Sequence, residues 1–589
     1  MAEGTVGREP IAIVEIDQTL CNLTYGEAPC TAALGTTGDN KCYNTFKSCQ
    51  DPDNFDPGTL TLRFVTGRQN LPRDLGTLVP CLRDLSTSPG TVRIDEGLGK
   101  RASVDVQMQD FPFHDRLVDK YATERVSGAA QASGTGYDPA ERGTFWTKWL
   151  QRNPYHQGYP LRIREGYVGQ SLSSMRVRHY VIDRIDGPDA AGNVRITAKD
   201  VLKLADGDRS QIPEPSEGRL DTAITDTDTS ATLVPSGIGD DEYPSSGLAR
   251  IGDELVAFSR SGDTLTLDTR GARGSEADSH DADDSVQLCY TMDDVTVSDA
   301  LYDILTTYAP VDTAWVPKSD WDNEVTTWLI GFNLTGEITE PTGVDEVVKT
   351  ILKQTLCFMW WDEYAQLIKL SAIKPPQTES SVTALNDDQH FVADSVTVKR
   401  KPEDRRSRVY IYYDILDPTE DRDEPSNYRK LRGRIDADAE SDNEYGETRV
   451  QSLFAPFWTG ANTGATLSLG SRKLARLRDI PVYLEFALDA KDRDLGMADV
   501  IDVTHRNLVD LTGAKKTERY QIVERNETEP GHLVRYKAQQ YTFLGRYAFI
   551  TENSYPDYGS ATAAQRDGGG FICEDDGTMT NGDDPYKII

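Results

Sequence analysis

Four of the eight cysteines lie together near the start of the chain, at Cys21, Cys30, Cys42 and Cys49. They follow the spacing C-x8-C-x11-C-x6-C, whereas the other four are scattered singly over the rest of the sequence. Four thiolates form a ligand set that suits zinc and an iron-sulfur cluster equally well. The loop that carries them, residues 20–58, has little else to bury, so a bound metal would supply the folding energy that an apolar core cannot.

The spacing of these cysteines leaves alternatives open. It matches neither the short cysteine pairs of zinc ribbons nor the dense cysteine run of bacterial ferredoxins. Two disulfides, or four plain buried thiols, are therefore alternatives to a metal site. The other four cysteines have no His or Cys partner at ligand spacing, and we expect ordinary buried thiols at Cys81, Cys289, Cys357 and Cys573.

No other residue pattern indicates catalysis. The seven histidines are isolated, and the sequence has no nucleophile elbow, Walker loop or dinucleotide fingerprint. Two aromatic groups, Trp360-Trp361 and the run Tyr410, Tyr412 and Tyr413, could form sugar platforms, but their alternation favours core and interface packing. We therefore predict no catalytic residue and no enzyme.

Charge and hydropathy restrict the partners. The net charge of -33 opposes binding to phosphates, so DNA is expected only in passage and not as a specific ligand. The longest strictly apolar run covers only residues 357–361, far short of the roughly 20 that span a bilayer, so no stable membrane insertion is expected. The first residues also lack the pattern of a secretion signal.

The elements that must position the cysteines are mostly strands. Alternating or apolar runs predict strands at 11–16, 60–64, 91–94, 104–108, 161–164, 179–182 and 194–198. Further along, we expect a hairpin of 250–258 with 264–267, a helix capped by Ser298, a helix over 344–352, a hairpin of 358–363 with 368–372, and strands at 409–413, 482–486, 500–503 and 520–523.

The predicted fold is therefore mainly β with an α+β insert. We expect two β-barrel or sandwich domains, a small β module, an α+β domain and an extended C-terminal segment. The corresponding boundaries are 1–205 for the first barrel with the cysteine loop, 206–232 for a linker, 233–292 for the small module, 293–376 for the α+β domain, 377–548 for the second barrel and 549–589 for the C-terminal segment.

Several segments together resemble the central hub, or tail-tip, proteins of long-tailed phages and gene transfer agents. The cysteine loop reads CNLTYG from residue 21, PC from residue 29 and KCYNTFKSC from residue 41. It is similar to the cysteine motif of lambda-type tail-tip proteins, which holds a 4Fe-4S cluster, although that motif lies C-terminally there and near the N-terminus here. The resemblance implies a 4Fe-4S cluster on Cys21, Cys30, Cys42 and Cys49, with zinc as the alternative.

Other segments extend the resemblance over most of the chain. IGDE from residue 251, TRG from 269 and GS from 274, followed by His280, resemble a short β unit of tail and fibre proteins in which the histidine is structural. The pairs Ile304-Leu305, Trp328-Leu329 and Trp360-Trp361 look like the α+β part of these hubs. The ending, from YPDY at 555 to YKII at 586, is also typical of them.

The resemblance implies a function and partners. Such a hub is a homotrimer that closes the tail tube, nucleates tail assembly, anchors tail fibres or receptor-binding proteins, and opens for the tape measure protein and DNA. Its two barrels give pseudo-sixfold symmetry to meet a hexameric distal tail ring. The expected location is the virion tail tip, after synthesis in the host bacterial cytoplasm. The competing hypotheses are an iron-sulfur enzyme and a secreted adhesin with two disulfides.

Overall fold

The structure is a computed structural model. It describes residues 9–33, 35–38, 42–67, 78–94, 97–113, 115, 143–374, 382–489, 492, 495–529, 533–541, 556, 558–562, 571–572 and 586–587. As predicted, the chain is mainly β. It divides into two compact units, residues 1–541 and 542–589. In the described residues no helix is both long and apolar enough to cross a membrane.

The first sheet has eight strands in the order β3-β2-β1-β6-β7-β8-β5-β4. They are β1 (Pro10–Cys21), β2 (Pro57–Val65), β3 (Leu78–Val79), β4 (Leu82–Ser88), β5 (Ser103–Gln109), β6 (Pro160–Tyr167), β7 (Arg176–Asp186) and β8 (Asn193–Lys199). Only Pro80 and Cys81 separate the two edge strands β3 and β4, so the sheet curls into a nearly closed barrel. Helix α1 (Phe145–Arg152) packs three buried aromatic side chains into its core.

The predicted strand at 91–94 is wrong. Thr91 forms only an isolated bridge with Glu524, and the Val92 N–H donates to the Val523 carbonyl. The Thr91 N–H donates to the carbonyl of Lys100 within its own loop. Since successive backbone groups bond to different partners, no continuous ladder forms despite the alternating side chains.

A six-stranded sheet forms the small module. After the short β9 (Gln211–Ile212), its elements are β10 (Arg219–Leu220), β11 (Ser230–Val234), α2 (Ile238–Glu242), β12 (Ser246–Ile251), β13 (Glu254–Ser261), β14 (Thr264–Thr269) and β15 (Val286–Leu288). The single predicted strand over 250–258 is wrong, because it is two strands joined by a tight turn. Gly252 has a φ of 58° in that turn, a conformation that glycine adopts without steric cost.

The next region combines helices and short strands. Its elements are β16 (Tyr290–Val295), α3 (Val297–Asp303) with a π-helical turn at Ile304–Tyr308, α4 (Lys318–Trp328), β17 (Leu334–Ile338), β18 (Thr342–Gly343), α5 (Val344–Thr355), β19 (Cys357–Asp362) and β20 (Leu367–Ala372). The second predicted helix and the predicted hairpin are confirmed. The predicted N-cap is wrong: Thr296 accepts from the Asp299 N–H, while Ser298 donates to Asp322.

The predicted second barrel region contains two sheets. Its elements are β21 (Thr383–Asn386), β22 (Thr397–Arg400), β23 (Arg408–Ile415), β24 (Tyr428–Ile435), α6 (Ala437–Glu440), β25 (Val450–Ala455), α7 (Thr463–Leu477), β26 (Val482–Asp489), β27 (Val500–Val509), β28 (Lys515–Glu529) and β29 (Leu533–Gln540). One sheet has six strands, β21-β27-β28-β29-β26-β22, and the other has three, β24-β23-β25. In the second unit, β30 (Phe571–Ile572) pairs with β31 (Tyr586–Lys587).

A buried ionic cluster joins the first sheet, the β19–β20 turn and β28. The Tyr364 hydroxyl donates to Glu527 Oε2 at 2.6 Å and accepts from Arg525 Nη1 at 2.5 Å. The guanidinium groups of Arg176 and Arg525 lie 4.9 and 4.4 Å from the Tyr364 ring centre. Nearby, Arg178 pairs with Glu363 at 3.7 Å. Charged hydrogen bonds therefore hold this junction together beside its apolar contacts.

Candidate metal centre

The cysteine loop is closed at its base by the first sheet. Cys21 is the last residue of β1 and lies opposite Pro57, the first residue of β2. The loop between them contains two 3-10 turns, Phe46–Ser48 and Pro52–Asn54, and no strand among its described residues. Its ends are fixed by the β1–β2 ladder, so the loop is anchored at one rim of the barrel.

Asn44 ties Cys42 to Cys21. Its carbonyl accepts from the Cys21 N–H at 2.7 Å, and its side-chain amide donates to the Cys21 carbonyl at 3.1 Å and the Leu23 carbonyl at 3.2 Å. Its own N–H donates to the Cys42 sulfur at 3.3 Å. Asn44 has a φ of 57°, a left-handed conformation that asparagine tolerates better than most residues. One residue therefore fixes the positions of two of the four cysteines.

Asp51 makes the equivalent connection between Cys30 and Cys49. Its carboxylate accepts from the Thr31 N–H at 2.7 Å and from the Thr31 hydroxyl at 3.0 Å. Thr31 follows Cys30 directly and Asp51 lies two residues after Cys49, so this contact holds the two halves of the loop together. The hydrogen bonds from Thr31 hold the pKa of Asp51 below its usual range.

The four thiols are near enough to influence the ionisation of Cys49. Burial raises the pKa of the Cys49 thiol, and the nearby thiols of Cys42, Cys21 and Cys30 raise it further. The Asp51 N–H acts in the opposite direction by favouring the Cys49 thiolate. Such mutual repulsion between thiolates is relieved when a cation lies between them. Nevertheless, the described residues contain no group of three or more His, Cys, Asp or Glu side chains already close enough to share one metal ion.

The loop is also held against the barrel. The Arg152 guanidinium, at the end of α1, lies 3.7 Å from the ring centre of Tyr43, which is adjacent to Cys42. Arg152 pairs in turn with the buried carboxylate of Asp115. The aromatic core helix and the cysteine loop are therefore coupled through one arginine.

The donor set fits a metal or iron-sulfur group. None of the four cysteines is in a disulfide and all are partly exposed, which suits thiolates that must lose their protons to bind metal. Two backbone N–H groups, of Asn44 and Asp51, already donate to the sulfurs of Cys42 and Cys49. Hydrogen bonds to the sulfurs are one of the features by which proteins tune iron-sulfur clusters.

The remaining described cysteines are buried, which confirms that part of the sequence prediction. Cys81, Cys289 and Cys357 are 6%, 8% and 1% exposed, and burial raises the pKa of each to about 12. Cys573 lies outside the described residues. The three buried thiols are neither positioned nor ionised for ligation.

Two other groups could suggest chemistry. A cavity of about 60 Å³ is lined by Trp360, Trp361 and Asp200, and burial raises the pKa of Asp200 to about 6. This volume is well below the roughly 300 Å³ at which small-molecule sites begin.

In the small module His280 contacts the buried Glu254 carboxylate at 2.8 Å, and Arg270 binds the same carboxylate, so the histidine completes a structural network.

Sequence reasoning identified the thiols but missed Asn44 and Asp51. The signal available was local: each lies two residues after a cysteine and belongs to the residue types that form turns and tolerate unusual backbone angles. Their partners, Cys21 and Thr31, are 23 and 20 residues away, and nothing in the sequence identifies these contacts.

No protein-family model matches the chain, and no curated protein matches it. Among solved structures, it is similar to a tail protein from Neisseria meningitidis, with 8% identity, 77% of this chain and 91% of that chain covered, and a TM-score of 0.36. It is also similar to the 43 kDa tail protein of prophage MuSo2 from Shewanella oneidensis, with 11% identity, 77% of this chain and 94% of that chain covered, and a TM-score of 0.35. A third similar structure is prophage tail protein gp18 from Listeria monocytogenes, with 11% identity, 65% of this chain and 85% of that chain covered, and a TM-score of 0.28. Likeness at these TM-scores carries no argument about function.

Proposed function

We propose that this chain is a structural protein of a phage tail, and more narrowly the homotrimeric hub of the tail tip, without enzymatic activity. The observation that carries the proposal is the cysteine loop, in which four cysteines, none of them in a disulfide, lie in one loop on the rim of a barrel. The motif that this loop resembles belongs to tail-tip proteins. The eight-stranded sheet near the start and the six-stranded sheet β21-β27-β28-β29-β26-β22, with the α+β region between them in sequence, are consistent with the two barrels that the resemblance implies.

The proposed cofactor is a 4Fe-4S cluster on Cys21, Cys30, Cys42 and Cys49. When bound, such a cluster would crosslink four points of a loop that buries little apolar surface. Asn44 and Asp51 would hold the thiols in position and donate to their sulfurs. The role we assign to the group is structural, because it would hold together a loop with little apolar surface of its own to bury.

Metal analysis tests the cofactor. The full chain, purified without oxygen, should contain iron and acid-labile sulfide at about four each and show a visible absorption band. Cys42→Ser should lose both, while Cys289→Ser, which alters a buried thiol outside the loop, should retain them. Cys30→Ala provides a second loop variant in case Cys42→Ser fails to fold. Zinc in place of iron would overturn the cluster and keep a structural site; two disulfides would overturn both.

Labelling of virions tests the hub separately. Antibodies against the purified chain should mark one end of the tail, opposite the capsid, in electron micrographs of particles from the source. Labelling along the tube, or of no particle, would contradict the tail-tip location. Native mass spectrometry of the purified chain should give three copies per assembly, and a strictly monomeric chain would contradict the homotrimer.

A further inference from the structure

The two edges of the three-stranded sheet β24-β23-β25 differ in charge. Strand β24 carries four cations, Arg429, Lys430, Arg432 and Arg434. Strand β25 reads VQSLFA and has no charged residue, no proline and no glycine. Charges, proline and bulges are the means by which edge strands are protected from pairing with another chain. One edge of this sheet is therefore protected by its sequence and the other is not.

The backbone of β25 has an open edge. The strand pairs with β23 on one side and with no second strand among the described residues. No backbone group of residues 450–454 bonds to a described residue outside this sheet. Every second residue of an edge strand directs its N–H and C=O groups away from its neighbour. At about 3.3 Å per residue, these residues carry unpaired groups over about 13 Å.

A groove of about 990 Å³, the β25 groove, lies beside this edge. The consecutive residues 451–454 of β25 line it, as expected of an edge, because one face of a strand presents only alternate residues. The other walls are α5 with the residues that precede it, 339–343, and the loop 418–423. The volume lies at the upper end of the roughly 300–1,000 Å³ of ligand pockets. The space beside the edge is therefore large enough for a bound segment.

The walls of the β25 groove are held in place by hydrogen bonds. At one end, Gln354 of α5 accepts from the N–H of Phe457, two residues beyond β25. In the loop opposite, the Arg422 carbonyl accepts from the Tyr428 hydroxyl at 2.6 Å. The Arg422 guanidinium donates to the Glu337 carbonyl at 3.1 Å, which anchors this loop to β17. A bound segment would therefore meet a preorganised site, which lowers the cost of binding.

The β25 groove is acidic. Its charged lining residues are Glu340, Glu346, Glu420, Asp421 and Asp423 against Lys349, Lys353 and Arg422. Glu340 pairs with Arg250, but the other four carboxylates form no ion pair among the described residues. Both lysines lie on α5, so the loop side of the groove is acidic apart from the anchored arginine. This side therefore attracts cations.

We propose that the β25 groove binds an extended segment of another protein, rich in lysine or arginine, which adds to β25 as a further strand. The open edge requires an extended backbone, because a strand can pair with successive outward N–H and C=O groups. The acidic loop requires cationic side chains on the segment that faces it. This binding site goes beyond the proposed hub and does not depend on it.

Charge argues against two other occupants. A second copy of this chain brings 96 acidic against 63 basic residues, so its surface adds like charge to the groove. Nucleic acid brings phosphates, which the exposed carboxylates of Glu420, Asp421 and Asp423 repel. A basic protein segment matches both the open edge and the charge.

Peptide selection on the purified full chain tests this inference. The probe is a display library of short random peptides, selected on wild type and counter-selected on Ser452→Lys. Ser452 is exposed, so this variant should fold, while the added charge on the edge opposes strand addition. Peptides that bind only wild type should contain more Lys and Arg than the library, and less Pro, because Pro cannot donate to a ladder. Acidic or proline-rich peptides, or none that depends on Ser452, would overturn the inference.

Fluorescence anisotropy with the strongest selected peptide separates the edge from the charge. Ser452→Lys blocks the edge and Glu420→Lys reverses one charge of the loop, so each should raise the Kd at least about tenfold. Ser279→Lys and Glu276→Lys make the same changes at exposed positions of the small module and should leave the Kd unchanged. Equal weakening by the control variants would assign the binding to net charge and contradict the groove.

Methylated peptides test strand addition on the wild-type chain alone. Two versions of the selected peptide carry N-methyl groups on alternate residues, one version in each phase. A strand that pairs with β25 uses the N–H groups of one phase only, so one version should bind at least about tenfold more weakly and the other like the parent peptide. Hydrogen exchange should show new protection in residues 450–454 and none in β24. Equal affinity of the two versions, or protection of β24, would refute strand addition to β25.

The outcomes also separate this inference from the hub. A trimer in native mass spectrometry, together with no groove-dependent peptide, would overturn the inference and leave the hub standing. A wild-type oligomer that Ser452→Lys dissociates would assign the edge to a second copy and overturn the basic partner. A monomeric chain that binds the peptide through β25 would support the groove and overturn the homotrimer.

Discussion

Glu254 of the small module provides the sharpest test of how charge stabilises this fold. Its side chain is fully buried, and it accepts from Arg270 at 2.7 and 2.8 Å and from His280 at 2.8 Å. It also accepts from the N–H groups of Gly271 and Asp278 at 2.9 and 3.2 Å. Burial alone would raise the pKa of Glu254, but these hydrogen bonds outweigh it and lower the pKa to about 2.

The lowered pKa of Glu254 determines the pH range over which its carboxylate stabilises the small module. A fall from 4.5 to about 2 corresponds to about 3 kcal/mol, which solvent screening near the surface of a small module reduces to about 1 to 2 kcal/mol. Because the folded-state pKa is depressed, this stability is present in full above about pH 4.5. It is lost as the pH falls towards 2, where the folded carboxyl also becomes protonated.

The perturbation is Glu254→Gln, which removes the charge and presents an amide to donors that need an acceptor. We expect a loss of about 2 kcal/mol in the local opening free energy at pH 7, or about a thirtyfold fall in amide protection of β12 to β15. Hydrogen exchange with mass spectrometry measures this locally, which suits a chain too large for a single two-state transition. Glu276→Gln, an exposed glutamate of the same module, is the control.

The pH profile decides whether the reasoning is right. After correction for the chemical exchange rate, wild-type protection of the module should fall between about pH 4.5 and pH 2, and the Glu254→Gln profile should be flatter. Equal slopes in the two proteins would refute the assignment of this pH dependence to Glu254. Unchanged protection at pH 7 would refute the claim that the carboxylate holds the module together.

Three other substitutions probe different parts of the fold. Tyr364→Phe removes the hydrogen bond to Glu527 and should cost about 1.5 to 3 kcal/mol, seen as faster exchange in β28. Gly99→Ala should destabilise by more than about 2 kcal/mol in a thermal melt, because its Cβ would lie 1.5 Å from the backbone oxygen of Thr91, which only a backbone shift can relieve. Thr296→Ala removes the N-cap of α3 and should cost about 1 kcal/mol, measured as faster exchange in that helix.

Matched substitutions separate these causes from general disturbance. Tyr155→Phe alters a tyrosine that is 60% exposed and should leave exchange unchanged. Gly464→Ala lies in the first turn of α7 with no atom within 4 Å of the added Cβ, so it should be neutral or stabilising. If the control in either pair changes as much as the test substitution, the specific contact is not the cause.

Strand periodicity predicted much of the fold because most strands of the larger sheets have one buried face. In β5, for example, Val104, Val106 and Met108 are fully buried and their neighbours are not. The same reasoning missed α7, which the sequence analysis placed in a β region. Two glycines, Gly464 and Gly470, lower its intrinsic helix propensity, and the helix is stabilised by packing against β23 and β24, which no local pattern reveals.

The candidate metal site, like the fold, could be predicted from the sequence only in part. Clustering of Cys21, Cys30, Cys42 and Cys49 could be found from sequence because ligands of one centre tend to lie close along a loop. The hydrogen bonds of Asn44 and Asp51 could not, since each depends on how the loop folds back on itself. Residue type predicts what a side chain can bind, and the tertiary structure selects the partner.

Two groups of charges in this chain should respond differently to salt. The pair between Lys399 and Glu485 is exposed, with side chains 51% and 36% exposed, so added salt screens it over about 10 Å at 0.1 M. The Tyr364 cluster is shielded from solvent, since the Glu527 side chain is 2% exposed and that of Arg525 is 8% exposed. Buried pairs are screened much less than exposed ones. Salt should therefore weaken the exposed pair between β22 and β26 while the contact between the first sheet and β28 stays closed, so the two junctions depend on charges that can be manipulated independently.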